Sequence, residues 1–252
     1  MARVTRIVAV ANQKGGVGKT TSTVNIAAAL ALAGHSVLVI DLDPQGNAST
    51  ALGLEHHEGV PGIYEVLTEG MPLAGIVGES PDIAGLWGAP ATIDLAGAEI
   101  ELVGVEGREY LLREALAAYL AENPVDFVLL DCPPALGLLT INGLVAATEV
   151  LLPIQCEYYA LEGLSQLLRT IDMVTAHLNP SLGVSAILLT MYDGRTRLAS
   201  QVADEVRRHF GARVLNTVIP RNVRVSEAPS FSQTVLTYDP SSAGSLAYTD
   251  RK

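Results

Sequence analysis

Lys14-Gly15-Gly16-Val17-Gly18-Lys19-Thr20-Thr21 stands between an apolar, β-branched run, Ile7–Ala11, and a segment with helical spacing, Thr20–Ala33. The glycines let the backbone curl so that successive N–H groups face inward as an anion nest. A helix beginning near Thr20 adds its positive dipole end. A strand, a glycine-rich turn and a helix in that order is the setting in which such a loop cradles phosphates. In that setting Lys19 reaches the β- and γ-phosphates and the Thr20 hydroxyl holds Mg²⁺. The expected cofactors are therefore ATP and Mg²⁺. The common loop pattern places a glycine where Gln13 stands; here a second lysine, Lys14, heads the loop instead. The chain has three lysines and thirteen arginines, and two of the three lysines are Lys14 and Lys19. A compact ammonium on a flexible stem suits a crowded phosphate where a planar guanidinium does not fit.

Working outward, apolar runs at Ile7–Ala11, Val37–Ile40, Phe127–Leu130, Val150–Ile154 and Ala186–Thr190 have the character of buried strands. Thr20–Ala33, Glu109–Ala121, Leu138–Ala147, Leu161–Leu178 and Leu198–Phe210 have helical spacing. The alternation predicts an α/β fold of the phosphate-loop NTPase kind, a mostly parallel twisted sheet with helices on both faces. A further strand is expected over Val214–Ile219. Residues 54 to 98, rich in Gly and Pro, suggest a surface excursion with one short helix near Ile63–Leu67. No linker, repeat or low-complexity tract divides the 252 residues, so one domain over 1–252 is expected.

Acids sit where such sheets bind ligands, at the carboxyl ends of strands. Asp41 and Asp43 follow Val37–Ile40, and either could bind Mg²⁺ or orient the attacking water; for Asp41 a helix cap is an equal alternative. Asp131 follows four apolar residues, Phe127–Leu130, as in a Walker B strand, and is expected to hold Mg²⁺ through a water and to orient Thr20. Pro133 and Pro134 force a sharp exit.

Lys14–Thr21 resembles the deviant Walker A loop of the ParA/MinD group of ATPases. Asp41-Leu42-Asp43-Pro44-Gln45-Gly46-Asn47, Asp131-Cys132-Pro133-Pro134, Gln155-Cys156-Glu157-Tyr158-Tyr159-Ala160-Leu161-Glu162-Gly163 and Ile219-Pro220-Arg221-Asn222-Val223-Arg224 narrow the resemblance to the ParA/Soj chromosome-partitioning proteins, over about Arg6 to Tyr248. It implies a slow ATPase stimulated by a ParB-like activator bound to DNA. Asp43 would position the water. Lys14 would cross a two-fold interface to the partner subunit's nucleotide, acting like an arginine finger beside Lys19; contact with its own α-phosphate is the alternative. ATP would then favour a homodimer and hydrolysis would release it. Pro220, Arg221 and Asn222 would cup the adenine, where an ordinary turn is the alternative.

Composition bounds the partners. A net charge of −11 argues against nucleic-acid binding over the whole surface. Yet residues 195 to 224 hold seven arginines and two acids, a local +5 that leaves −16 for the rest. The resemblance points to Arg195, Arg221 and Arg224 for sequence-independent DNA contacts, which should weaken steeply with salt. Cys132 and Cys156 are too few for a disulfide framework, and buried thiols fit better than the cluster-bridging pair of the nitrogenase iron protein. His56 and His57 form a loop pair with no metal-ligand spacing around them. Glu157, Tyr158 and Glu162 are candidates for a switch or partner surface. The first apolar run is too short for a secretory signal, and no run reaches the ~20 apolar residues of a membrane span. No basic amphipathic tail supports the membrane-bound mode of MinD. A cytoplasmic, nucleoid-associated protein of the short chromosomal type is expected, with a shortened C-terminal helix. A regulator that positions a protein cargo, or a metabolic phosphoryl-transfer enzyme, are the competing readings.

Overall fold

The structure is a computed structural model that describes residues 4–157 and 160–250, with the side chains of 160–163 left aside. Tyr158 and the Glu162 side chain lie outside the described residues. Eight strands form one sheet: β1 Arg6–Val10, β2 Val37–Asp41, β3 Gly78–Glu79, β4 Leu86–Ala89, β5 Phe127–Asp131, β6 Glu149–Gln155, β7 Gly183–Tyr192 and β8 Val214–Pro220. Their order is β3-β4-β2-β5-β1-β6-β7-β8, and only the β3–β4 edge pair is antiparallel. The helices are α1 Lys19–Leu32, α2 Asn47–Ala51, α3 Ile63–Thr68, α4 Leu95–Glu101, α5 Leu111–Glu122, α6 Leu138–Ala146, α7 Ala160–His177, α8 Arg197–Phe210, α9 Val223–Glu227, α10 Val235–Tyr238 and α11 Ala243–Thr249.

Strand periodicity sorts the core into two layers. Leu38, Ile40, Val128 and Leu130 point to one face and join the cluster under α5, α6 and α7. Val37, Val39 and Leu129 point to the other and pack with Val24, Ala27 and Ala28 of α1. Every residue of β2 is buried, which is why its sequence is apolar without alternation. Truncating a fully buried side chain of the neighbouring β5, Leu130→Ala, should cost about 2–5 kcal/mol.

The excursion expected over 54–98 is corrected by the structure. Ile63–Thr68 is helical, but Leu86–Ala89 pairs in parallel with β2, and Leu86, Ala89 and Ala91 are fully buried. Four residues with a central glycine are too few to show strand periodicity. The final helix is short but docked: the Tyr248 hydroxyl lies 3.3 Å from Ser22 Oγ on α1. Among the described residues, no helix is long and apolar enough to cross a membrane.

Register brings the carboxyl ends together. Asp131 of β5 pairs with Val10 of β1 on one side and with Asp41 of β2 on the other. The loop leaving β1 and the acids closing β2 and β5 therefore share one edge of the sheet.

Candidate nucleotide site

The phosphate loop is anchored at both ends. Asn12 Oδ1 accepts the Lys14 amide at 3.0 Å, and Asn12 Nδ2 donates to the Pro153 carbonyl of β6 at 2.7 Å. Farther along, Thr190 of β7 donates its hydroxyl to the Val17 carbonyl at 2.8 Å. Between these anchors Gly16 and Gly18 take φ of 71° and 87°, the left-handed region that disfavours side chains. A Cβ on Gly15 or Gly16 would meet nothing within 4 Å, so this backbone faces open space. Val17 is buried and contributes its carbonyl to the anchor rather than a surface to the cleft.

Lys19 is 6% exposed, and its ammonium donates to the Lys14 carbonyl at 3.3 Å. Burial pushes its pKa down, opposed by Asp131. Thr20 Oγ1 donates to Asp131 Oδ2 at 2.7 Å, and Thr23 Oγ1 to Asp131 Oδ1 at 2.9 Å. Asp131 is fully buried; burial pushes its carboxyl pKa upward and the neighbouring Asp41 adds to this, while Thr20, Thr23 and Lys19 favour the carboxylate. A cation of hard, oxygen-preferring type fits this donor set.

A cleft of about 330 Å³ opens over the loop. Gly15, Gly16, Gly18 and Lys19–Thr21 form one wall, with Asp43, Asn47 and Thr50 opposite. Asp43 Oδ1 accepts the Gln45 amide at 3.0 Å. Asp41 does not line this cleft; it accepts from the Ser49 amide and hydroxyl, while Gly46 stands at the N-cap of α2. A smaller cleft of about 100 Å³ adjoins at Gly18 and Thr21, and Pro220, Arg221 and Asn222 line it with Met191 and Tyr248. Arg221 is held by its amide on the Tyr192 carbonyl at 3.1 Å, and Asn222 Oδ1 caps α9 through the Arg224 amide at 2.8 Å. One cleft is thus walled by glycine backbone, an ammonium, hydroxyls and a carboxylate, and the other by a mixed polar and apolar set.

Other expected residues stand apart. The Lys14 ammonium pairs with Glu157 of the same chain at 3.1 Å and does not line the cleft. Arg195 pairs with Asp193 at 2.8 Å, and Arg224 with Glu227 at 2.9 Å and Asp239 at 3.4 Å. All three acids lie outside residues 195–224, so the net charge of that segment exceeds the free positive charge on these two arginines. Cys132 and Cys156 are buried, and burial pushes both thiols up, Cys156 to about 11. His56 is bonded to Thr50 at 2.9 Å. Sequence reasoning missed Asn12, Thr23, Ser49 and Thr190. Only Thr23 carried a usable signal, a hydroxyl three residues after Thr20 and so on the same helix face.

Residues 5–184 match the family described as an AAA domain. The chain is 52% identical over 243 residues to the chromosome partitioning protein ParA of Caulobacter vibrioides, covering 96% of this chain and 91% of that one. It belongs to the ParA/Soj family of chromosome-partitioning ATPases. The sporulation initiation inhibitor protein Soj of Bacillus subtilis, also of the ParA/Soj family, is 50% identical over 245 residues, covering 97% and 96% of the two chains. Among solved structures, a cobyrinic acid a,c-diamide synthase of Mycobacterium smegmatis with bound ATP analogue and magnesium superposes with a TM-score of 0.85. It is 41% identical to this ParA/Soj chain and covers 98% of it and 92% of its own length.

Proposed function

We propose that this chain is a switch ATPase of chromosome partitioning. Bound ATP and Mg²⁺ would join two subunits into a dimer that holds DNA without reading sequence, and hydrolysis stimulated by a ParB-like protein on DNA would release it. The observation that carries the reading is a pair of clefts, one over the phosphate loop and one beside Pro220–Asn222, that share Gly18 and Thr21 in their linings, with Asp131 buried behind Thr20.

In this reading the amides of Gly15–Thr21 and the Lys19 ammonium hold the β- and γ-phosphates. Thr20, and Asp131 through a water, would hold Mg²⁺, with Asp43 lining the same cleft as Thr20. Mg²⁺ neutralises charge on the phosphate oxygens when bound. Asp43 would accept a hydrogen bond from the attacking water and orient it in line. Pro220, Arg221 and Asn222 cup the base. Lys14 leaves Glu157 and reaches across the two-fold axis to the partner's phosphates, where a fixed cation offsets developing charge. Arg195, Arg221 and Arg224 from both subunits face DNA phosphates.

The synthase name borne by the Mycobacterium smegmatis structure gains no support from these residues. Amide transfer from glutamine commonly uses a cysteine nucleophile, and both thiols here are buried with raised pKa.

Sizing the protein with ADP, with ATP, and with ATP plus a random DNA duplex tests the proposal. A dimer with ATP alone, and DNA retention only with ATP, is expected. A dimer without DNA affinity would move the reading to a regulator of protein cargo. No heat on titrating adenine nucleotides with Mg²⁺ into folded protein would remove it altogether.

A further inference from the structure

Beneath the Asp43 turn lies a buried polar cluster built on Asp41 and Ser49. Asp41 and Ser49 are 1% and 0% exposed. Asp41 Oδ1 accepts the Asp43 amide at 3.1 Å. Asp41 Oδ2 accepts both the Ser49 amide at 2.9 Å and the Ser49 hydroxyl at 2.8 Å. The same Ser49 oxygen accepts the Ala91 amide at 3.1 Å. On the outer side the turn closes through the Gly46 amide on the Asp43 carbonyl at 2.9 Å. Gly46 has φ of 63°, and a Cβ there would lie 3.0 Å from the Ala91 carbonyl oxygen. Asp43 and α2 are thus clamped between the end of β2 and the segment after β4.

We infer that Asp41 and Ser49 are positioning residues for hydrolysis, fixing Asp43 and the α2 wall opposite the phosphate loop. The inference rests on the water-orienting role proposed for Asp43. Asp41 is the only side chain in this cluster that holds both the Asp43 backbone and α2. Ser49 completes it by donating to Asp41 while accepting from Ala91. Losing the Ser49 hydroxyl leaves a buried Ala91 amide without that acceptor and frees the turn to shift. Small displacements of an orienting group are costly to rate and almost neutral to ground-state binding.

The test compares turnover with affinity for a non-hydrolysable ATP analogue in the full-length protein. Ser49→Ala should lower turnover about tenfold or more and change analogue affinity by less than about threefold. Ser49→Thr keeps the hydroxyl and should stay within about threefold of the unaltered chain in both. Asp41→Asn, measured the same way, should behave as Ser49→Ala does. Unaltered turnover in Ser49→Ala, affinity lost in step with turnover, or a Ser49→Thr protein as slow as Ser49→Ala would each overturn the inference. Asp43→Ala separates the layers. If it too keeps full turnover, the proposed role of Asp43 falls; if it loses turnover while Ser49→Ala does not, only the positioning role falls.

Discussion

Thr20 Oγ1 and Asp131 Oδ2 are joined at 2.7 Å, tying the first turn of α1 to the last residue of β5. Thr23 holds the second oxygen of the same carboxylate. Burial penalises the charged form of Asp131, so its carboxylate weakens the nucleotide-free fold. Asp131→Asn should therefore leave the nucleotide-free melting temperature unchanged or higher, while abolishing the extra rise that Mg²⁺ gives on top of ATP. Thermal melts with ATP, with and without Mg²⁺, check both halves. A Mg²⁺-dependent rise that persists in the variant removes Asp131 from the cation site.

The Lys14–Glu157 pair yields a different signature. It is half exposed on both sides, so breaking it should cost the monomer less than about 1 kcal/mol. Lys14→Ala should keep ATP affinity within about threefold, because Lys19 and the loop amides remain. It should fail to dimerise with ATP and fail to hydrolyse it. Analytical ultracentrifugation beside a turnover assay gives the answer, and a dimer at ordinary protein concentration would refute the crossing role.

Arg224 is shared among two carboxylates before any DNA arrives. Arg224→Ala should preserve turnover, weaken DNA retention, and lower the salt slope by about one per subunit. Glu227→Gln should do the reverse, tightening DNA by a few-fold at most, since exposed pairs are worth about 0–1 kcal/mol. Binding isotherms at several salt concentrations distinguish these outcomes. Equal affinity in all three proteins would exclude Arg224 from the contact.

Both thiols should be inert while the chain is folded. Cys132 and Cys156 are buried, and desolvation favours the protonated form of each. A chromogenic disulfide reagent at neutral pH should label neither within minutes and both after denaturation. Rapid labelling of the native protein would contradict the burial.

Much of the sheet could be read from the chain because five of its strands are apolar runs of ordinary length between helical segments. β4 could not, since Leu86-Trp87-Gly88-Ala89 lacks both length and alternation, and only its pairing with β2 makes it a strand. At the site, Lys19, Thr20 and Asp131 were legible because phosphate chemistry demands those types at a strand–loop–helix junction; the structure joins Thr20 to Asp131 and turns the Lys19 ammonium back onto the loop at the Lys14 carbonyl. Thr190 and Ser49 were not. A hydroxyl among small apolar residues carries no pattern of its own; Thr190 meets the Val17 carbonyl and Ser49 the Ala91 amide only once the chain has folded. The basic segment shows the opposite failure: its charge was plain, but Asp193 pairs with Arg195, and Glu227 and Asp239 with Arg224, contacts that composition does not encode.

Tyr248 links the last helix to the heart of the molecule. Its hydroxyl meets Ser22, one turn into α1, and its ring lines the smaller cleft beside Asn222. Any displacement of α11 would therefore reach a residue that lines the smaller cleft. Reporter groups on this chain belong at surface loops remote from both clefts and from α11.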